Sequence, residues 1–105
     1  MRSPGDIKRS IEDRLRGYLS RDHTGIRREL LNLFVRIKSL TVPLIFEEMQ
    51  QHYAITYHSI ASMVGTIASR IGILHVRKPI EGNNCVYELK EKYLDLVTRV
   101  MQSAV

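Results

Sequence analysis

Apolar residues recur at Ile7, Ile11, Leu15 and Tyr18, a spacing of three and four that keeps side chains on one helical face. With Ser3-Pro4 as a capping residue followed by a first-turn proline, a helix is expected over about 5–20. Lys8/Glu12, Arg9/Asp13 and Glu12/Arg16 are opposite charges four apart on its polar side. Asp22-His23-Thr24 interrupts the pattern and offers a new cap for a helix over about 24–38. Its apolar set, Ile26, Leu30, Leu31, Leu33, Phe34, Val35 and Ile37, covers about half the helical circumference, so this helix is expected to be the central pillar of the core. Thr41-Val42-Pro43 is a third start signal, and Leu44, Ile45, Phe46 and Met49 carry a short helix to about Gln51. Thr56 caps a fourth helix, with a core stripe of Ile60, Met63, Val64, Ile67 and Ile71 and a closing Gly72.

The period then changes from 3.6 to 2. Ile73-Leu74-His75-Val76-Arg77-Lys78 alternates as a half-buried strand that ends at Pro79. Glu81-Gly82-Asn83-Asn84 is turn chemistry, and Cys85-Val86-Tyr87-Glu88-Leu89 is the return strand of a hairpin. A last helix over about 91–103 is expected to bury Tyr93, Leu94, Leu96, Val97, Val100 and Met101. The sequence contains no internal repeat and no low-complexity stretch.

A chain of 105 residues suggests one domain, 1–105. At 44% hydrophobic and 26% charged the composition is that of a globular protein. No apolar run reaches the ~20 residues of a membrane helix, and residues 1–6 lack the apolar stretch of a secretory signal. Cys85 is the one cysteine, which excludes an intrachain disulfide and a cysteine-based zinc set and points to the cytoplasm. The net charge is +5, and it is uneven: residues 1–38 hold ten Lys/Arg against five Asp/Glu, and residues 39–105 hold six against six. A basic N-terminal third favours a polyanionic partner; a solvated, charge-speckled helix surface is the alternative.

The order helix, helix, short helix, tight turn, helix, hairpin, helix resembles a winged helix-turn-helix. Residues 41–49 resemble its positioning helix, and residues 55–64 its recognition helix. Ile67-Ala68-Ser69-Arg70-Ile71-Gly72-Ile73-Leu74 resembles the ending that leads into the wing. The resemblance covers about residues 39–90, and the flanking helices suit MarR-like dimeric relatives. The whole chain is also similar to a family of small archaeal winged-helix proteins without an assigned function. The implied fold class is mainly α with a small β-hairpin and extra N- and C-terminal helices. The helix-turn-helix falls at about 41–72, the wing at about 73–90 and the C-terminal helix at about 91–103. The implied function is a cytoplasmic transcription regulator that binds double-stranded DNA, as a homodimer paired through its terminal helices, without membrane or cofactor.

On a helical wheel the outward face of the fourth helix holds His58, Ser59, Ser62, Gly65, Thr66 and Ser69, with Thr56 and Tyr57 at its start and Arg70 at its end. Short hydroxyls contact phosphates and base edges, and Gly65 permits close approach of another surface. In the wing, Arg77, Lys78, Asn83 and Asn84 are candidates for the backbone or minor groove. Arg9, Arg16, Arg27, Arg28, Arg36 and Lys38 are candidates for phosphate contacts. Against this, Arg70 alone on the fourth helix is of the kind that usually grips bases, so the face also reads as inert or as packing against a protein. A protein-interaction module that binds no DNA is therefore the competing class. Catalysis is not expected. The four histidines are not paired at i,i+4, no metal-spaced cluster occurs, and no phosphate loop or nucleophile elbow is present.

Overall fold

The computed structural model describes residues 3–78 and 84–103. Ser3 opens helix α1 (Pro4–Ser20), its hydroxyl accepting the Asp6 N–H at 3.2 Å, and Pro4 occupies the first turn, where its missing N–H costs nothing. Ile11, Leu15, Tyr18 and Leu19 are buried, but residues 3–9 all stand clear of the core, which leaves Ile7 42% exposed.

Helix α2 (Ile26–Ile37) starts two residues later than the sequence pattern suggests. Gly25 takes the capping position in the left-handed region, at φ 85°. The capping chemistry is supplied from further back, by the Asp22 carboxylate. It accepts the N–H groups of Gly25, Arg27 and Arg28 at 3.1, 3.2 and 3.1 Å. The expected pillar role is observed: Leu30, Leu31, Leu33 and Phe34 are buried, and α2 packs against α1, α3, α5 and the sheet. Ile37, at its end, is exposed.

Lys38 follows with φ 74°, a conformation disfavoured for a residue with a side chain. It is held by its N–H on the Phe34 carbonyl, by its carbonyl accepting the Leu89 N–H, and by Nζ 3.2 Å from Glu91 Oε2. This kink swings the chain into strand β1 (Ser39–Leu40), an element the sequence pattern does not announce. Thr41 then caps helix α3 (Val42–Met49) by accepting the Leu44 N–H at 3.4 Å.

Thr56 caps helix α4 (Tyr57–Thr66), its hydroxyl oxygen accepting the Ser59 N–H at 3.1 Å. The helix does not stop at Thr66. It widens into a π-helical turn over Ile67–Ile71, and the Gly72 N–H reaches the Ile67 carbonyl at 3.0 Å, five residues back. Gly72 closes it at φ 83°.

Strands β2 (Leu74–Arg77) and β3 (Val86–Leu89) pair antiparallel, from Leu74 opposite Leu89 to Arg77 opposite Val86. Both are shorter than expected, and Cys85 precedes β3. The expected two-stranded hairpin is part of a three-stranded antiparallel sheet of order β1-β3-β2, with Ser39 opposite Glu88 and Leu40 opposite Tyr87. Leu74 and Leu89 are buried at the base of the hairpin, whereas residues 75–78 are exposed, so β2 projects out of the core instead of alternating as a half-buried strand. The turn expected at 81–84 lies outside the described residues except for Asn84, and Pro79 lies outside them too.

A 3-10 turn (Glu91–Tyr93) leads into helix α5 (Leu94–Ser103), which buries Leu96, Val97 and Val100 and packs against α1 and α2. The terminal helices thus cover each other's apolar faces, which the sequence reading leaves to a second copy. The chain is mainly helical with a small three-stranded antiparallel sheet, an arrangement consistent with a winged helix-like fold.

Candidate nucleic-acid interface

The tight connection after α3 delivers α4 with one face outward. Thr56, Tyr57, His58, Ser59, Ser62, Ser69 and Arg70 are exposed, and Thr66 is half-buried. Tyr57 is anchored edge-on against Phe46 of α3, with ring centroids 5.7 Å apart, so its ring is a fixed part of the surface. The short hydroxyls are largely occupied. Thr56 Oγ1 donates to Ser59 Oγ at 2.9 Å, Thr66 Oγ1 to the Ser62 carbonyl at 3.0 Å, and Ser69 Oγ to the Gly65 carbonyl at 2.7 Å. Their remaining lone pairs accept, and their protons are spent on the helix. A Cβ on Gly65 would meet nothing within 4 Å, so no packing within the chain requires glycine there.

In the projecting hairpin Arg77 is not free. Its guanidinium lies 3.7 Å from Glu88 Oε2, the oxygen that also accepts the Ser39 hydroxyl proton at 2.8 Å. An exposed pair of this kind is worth about 0–1 kcal/mol and yields readily to a phosphate. Lys78 and Asn84 are exposed; Asn83 lies outside the described residues.

The basic residues named from sequence on the first two helices mostly serve the fold. Arg16 is bound to Glu12 at 3.2 Å and to Ser103 at 2.9 Å. Arg27 donates to the Tyr18 carbonyl at 2.9 Å and stacks over the Tyr18 ring at 4.5 Å. Arg28 donates to the Met101 carbonyl near the end of α5. Arg36 pairs with Glu29 at 3.5 Å and Lys38 with Glu91. Each of the five is thus engaged within the chain, by a carboxylate or by a carbonyl or hydroxyl near a helix end. Of the three charge pairs expected along α1, Glu12–Arg16 forms. Glu12 uses its other oxygen on Arg99 of α5, at 2.6 Å, and these two arginines hold its carboxyl below the usual carboxylate range, Arg99 first.

Two cations that the sequence reading passed over take their place. Arg14 on α1 and Arg21, which caps its C-terminal end two turns on, face Arg70 and Thr66 across a cleft of about 260 Å³ also lined by Gly17, Tyr18 and Ile71. Arg14 Nη1 donates to the Arg70 carbonyl at 3.3 Å. Among the described residues no carboxylate lies within ion-pair distance of Arg14, Arg21 or Arg70; the ion pairs fall on Arg16, Arg36, Lys38, Arg77 and Arg99. The run Arg14, Gly17, Tyr18, Arg21 is a helical stripe in its own right and was the available signal. What it faces is long-range information.

Among the described residues no three of His, Cys, Asp and Glu gather as a metal site, and no helix is long and apolar enough to cross a membrane. Residues 15–97 match a family described as a protein of unknown function, DUF2551. An uncharacterized protein of Archaeoglobus fulgidus is 39% identical over 93 residues, covering 88% of this chain and 93% of that protein. No solved structure matches the chain.

Proposed function

The chain belongs to the DUF2551 family, and on its own residues we propose that it is a winged-helix transcription regulator that binds double-stranded DNA. In this reading α4 enters the major groove, and the β2–β3 hairpin lies along the backbone or minor groove. The observation that carries it is the exposed polar face of α4 beside three cations without carboxylate partners, Arg14, Arg21 and Arg70. Cations clustered without counter-charges repel one another, and a polyanion relieves that cost. His58, Ser59 and Ser62, in the first turns of α4, are the base-edge candidates. Arg77 and Lys78 supply sequence-independent attraction.

The test is fluorescence anisotropy with genomic duplex fragments at roughly 50 and 200 mM salt. Selective binding that weakens linearly in log–log salt is expected. Arg77→Glu with Lys78→Glu should lower affinity for every sequence, and His58→Ala should change the preference among sequences. If wild-type protein retains no duplex even at the lower salt, the proposal fails.

One observation favours a second reading, a protein-docking module. The hydroxyl protons of Thr56, Thr66 and Ser69 are already committed, and α4 has no long polar side chain ahead of Arg70. A stoichiometric protein partner recovered from the native host without nucleic acid would favour it. Pairing of two copies through the terminal helices draws less support than the sequence offers, since α1 and α5 bury most of their apolar residues against the chain itself. Light scattering at high concentration decides between monomer and dimer.

A further inference from the structure

We infer that the cleft between α1 and the C-terminal end of α4 is a phosphate-binding site, formed by Arg14, Arg21 and Arg70. Four independent features converge there. The first is charge: three guanidinium groups line one cleft, and none has a carboxylate partner among the described residues. Asp22, next to Arg21 in sequence, turns its carboxylate to three backbone N–H groups at the start of α2 and forms no ion pair with Arg21. The second is fixed spacing. Arg14 Nη1 donates to the Arg70 carbonyl at 3.3 Å, which ties the two walls of the cleft together. The third is room. Gly17 sits in the last turn of α1, and a Cβ there would stand in open space, so the fold itself does not ask for glycine. Its absence of side chain widens the cleft between Arg14 and Arg21. The fourth is size: about 260 Å³ is below the range of pockets that enclose whole cofactors and suits a single phosphate group held by forked donors.

The phosphate can belong to a duplex backbone or to a small phosphorylated molecule, and the recognition chemistry is the same. Arg21 also lines the adjoining cleft at the start of α4, beside Asp22, His23, Thr56 and Ser59. The site stands on its own geometry and does not require the DNA reading.

Isotope-labelled protein titrated separately with inorganic phosphate, with pyrophosphate and with a short random duplex tests it, read through the arginine side-chain Nε–H signals. Arg14, Arg21 and Arg70 should shift together. Arg21→Gln and Arg70→Gln should each weaken binding by at least about tenfold, whereas Lys92→Gln, exposed in the 3-10 turn before α5, should not. Gly17→Ala, which keeps the helix intact, should also weaken it. A response to pyrophosphate identifies a free phosphorylated ligand. A response to the duplex alone, lost in the arginine variants, identifies the backbone. Pyrophosphate bound in the cleft by a protein that ignores every duplex upholds the site and defeats the regulator proposal. Duplex binding that the arginine variants leave unchanged, with no response to phosphate or pyrophosphate, overturns the site and leaves that proposal standing.

Discussion

Removing a single oxygen from the core should make this protein more stable. Tyr18→Phe deletes the hydroxyl that is buried without a partner and keeps the ring on which the Arg27 guanidinium stacks at 4.5 Å. An unsatisfied buried polar group costs about 1–3 kcal/mol. The variant is therefore expected to gain about 1 kcal/mol or more near neutral pH, a rise in melting temperature of roughly 4–8 °C for each kcal/mol. The same burial sets a pH dependence. Desolvation, opposed by Arg27 and aided by Asp22, pushes the Tyr18 phenol from 10.0 up to about 12. Between these values the unfolded chain loses a proton that the folded chain keeps, so stability is intact below pH 10 and falls as pH rises towards 12. Two pKa units correspond to about 2.7 kcal/mol, and solvent screening at the rim of the cleft reduces this to about 1–2 kcal/mol. Phenylalanine does not titrate, so its advantage should widen by that amount once pH passes the folded-state value, and by about half of it at pH 11. Urea unfolding followed by circular dichroism near pH 7 and near pH 11 measures both quantities. A variant no more stable than wild type at neutral pH would mean that the hydroxyl has a partner, and the account of Tyr18 would fall.

Asp22→Ala removes the acceptor for three N–H groups at the start of α2 and should cost about 1–2 kcal/mol in the same assay; a loss below 0.5 kcal/mol, about that of an ordinary surface change, would show that Gly25 alone suffices as a cap. Gly65→Ala should stabilise the chain by about 0.5–1 kcal/mol, because its Cβ meets nothing, and should weaken duplex binding if α4 lies in a groove. Glu12 is held below its ordinary value of 4.5, first by Arg99 and then by Arg16, so the tie between α1 and α5 persists at higher pH and is lost as acid protonates it. Glu12→Gln should lower amide protection in α5 at pH 6 to the level wild type reaches only on acidification; identical acid profiles would remove Glu12 from that role.

What was legible in the sequence was local. Ser3-Pro4, Thr41-Val42-Pro43 and Thr56 mark helix starts because a capping oxygen needs a backbone N–H only three residues away. Gly72 marks an end because its own φ is positive. The apolar run 30–34 identifies the central helix because burial on several sides needs no partner to be specified. What was missed depends on distant chain. Ser39-Leu40 has no pattern of its own and is a strand only because Tyr87 and Glu88 lie opposite. The π turn at 67–71 keeps its apolar positions in apparent α spacing, with Ile67 and Ile71 both buried, so nothing in the order of residues reveals it. Arg27 and Arg28 resemble free surface charges until α1 and α5 bring carbonyls to them, and Arg14 and Arg21 look unremarkable until Arg70 arrives opposite.

The two-residue strand β1 also orders events in time. Helices α3 and α4 and the β2–β3 hairpin form from neighbours in the chain, but β1 meets β3 only once everything from 41 to 86 has been made and brought round. The entropy of closing that loop must be met before the pairing returns anything, so the sheet is completed late. Until then Lys38 lacks its bond from Leu89 and its ion pair with Glu91, and the end of α2 has no reason to hold its unfavourable turn. On the ribosome, a nascent chain that has emerged only as far as α4 therefore carries its helices without the latch at the foot of the hairpin. Only when β3, the last strand to emerge, pairs with β1 is the foot of the hairpin joined to the end of α2.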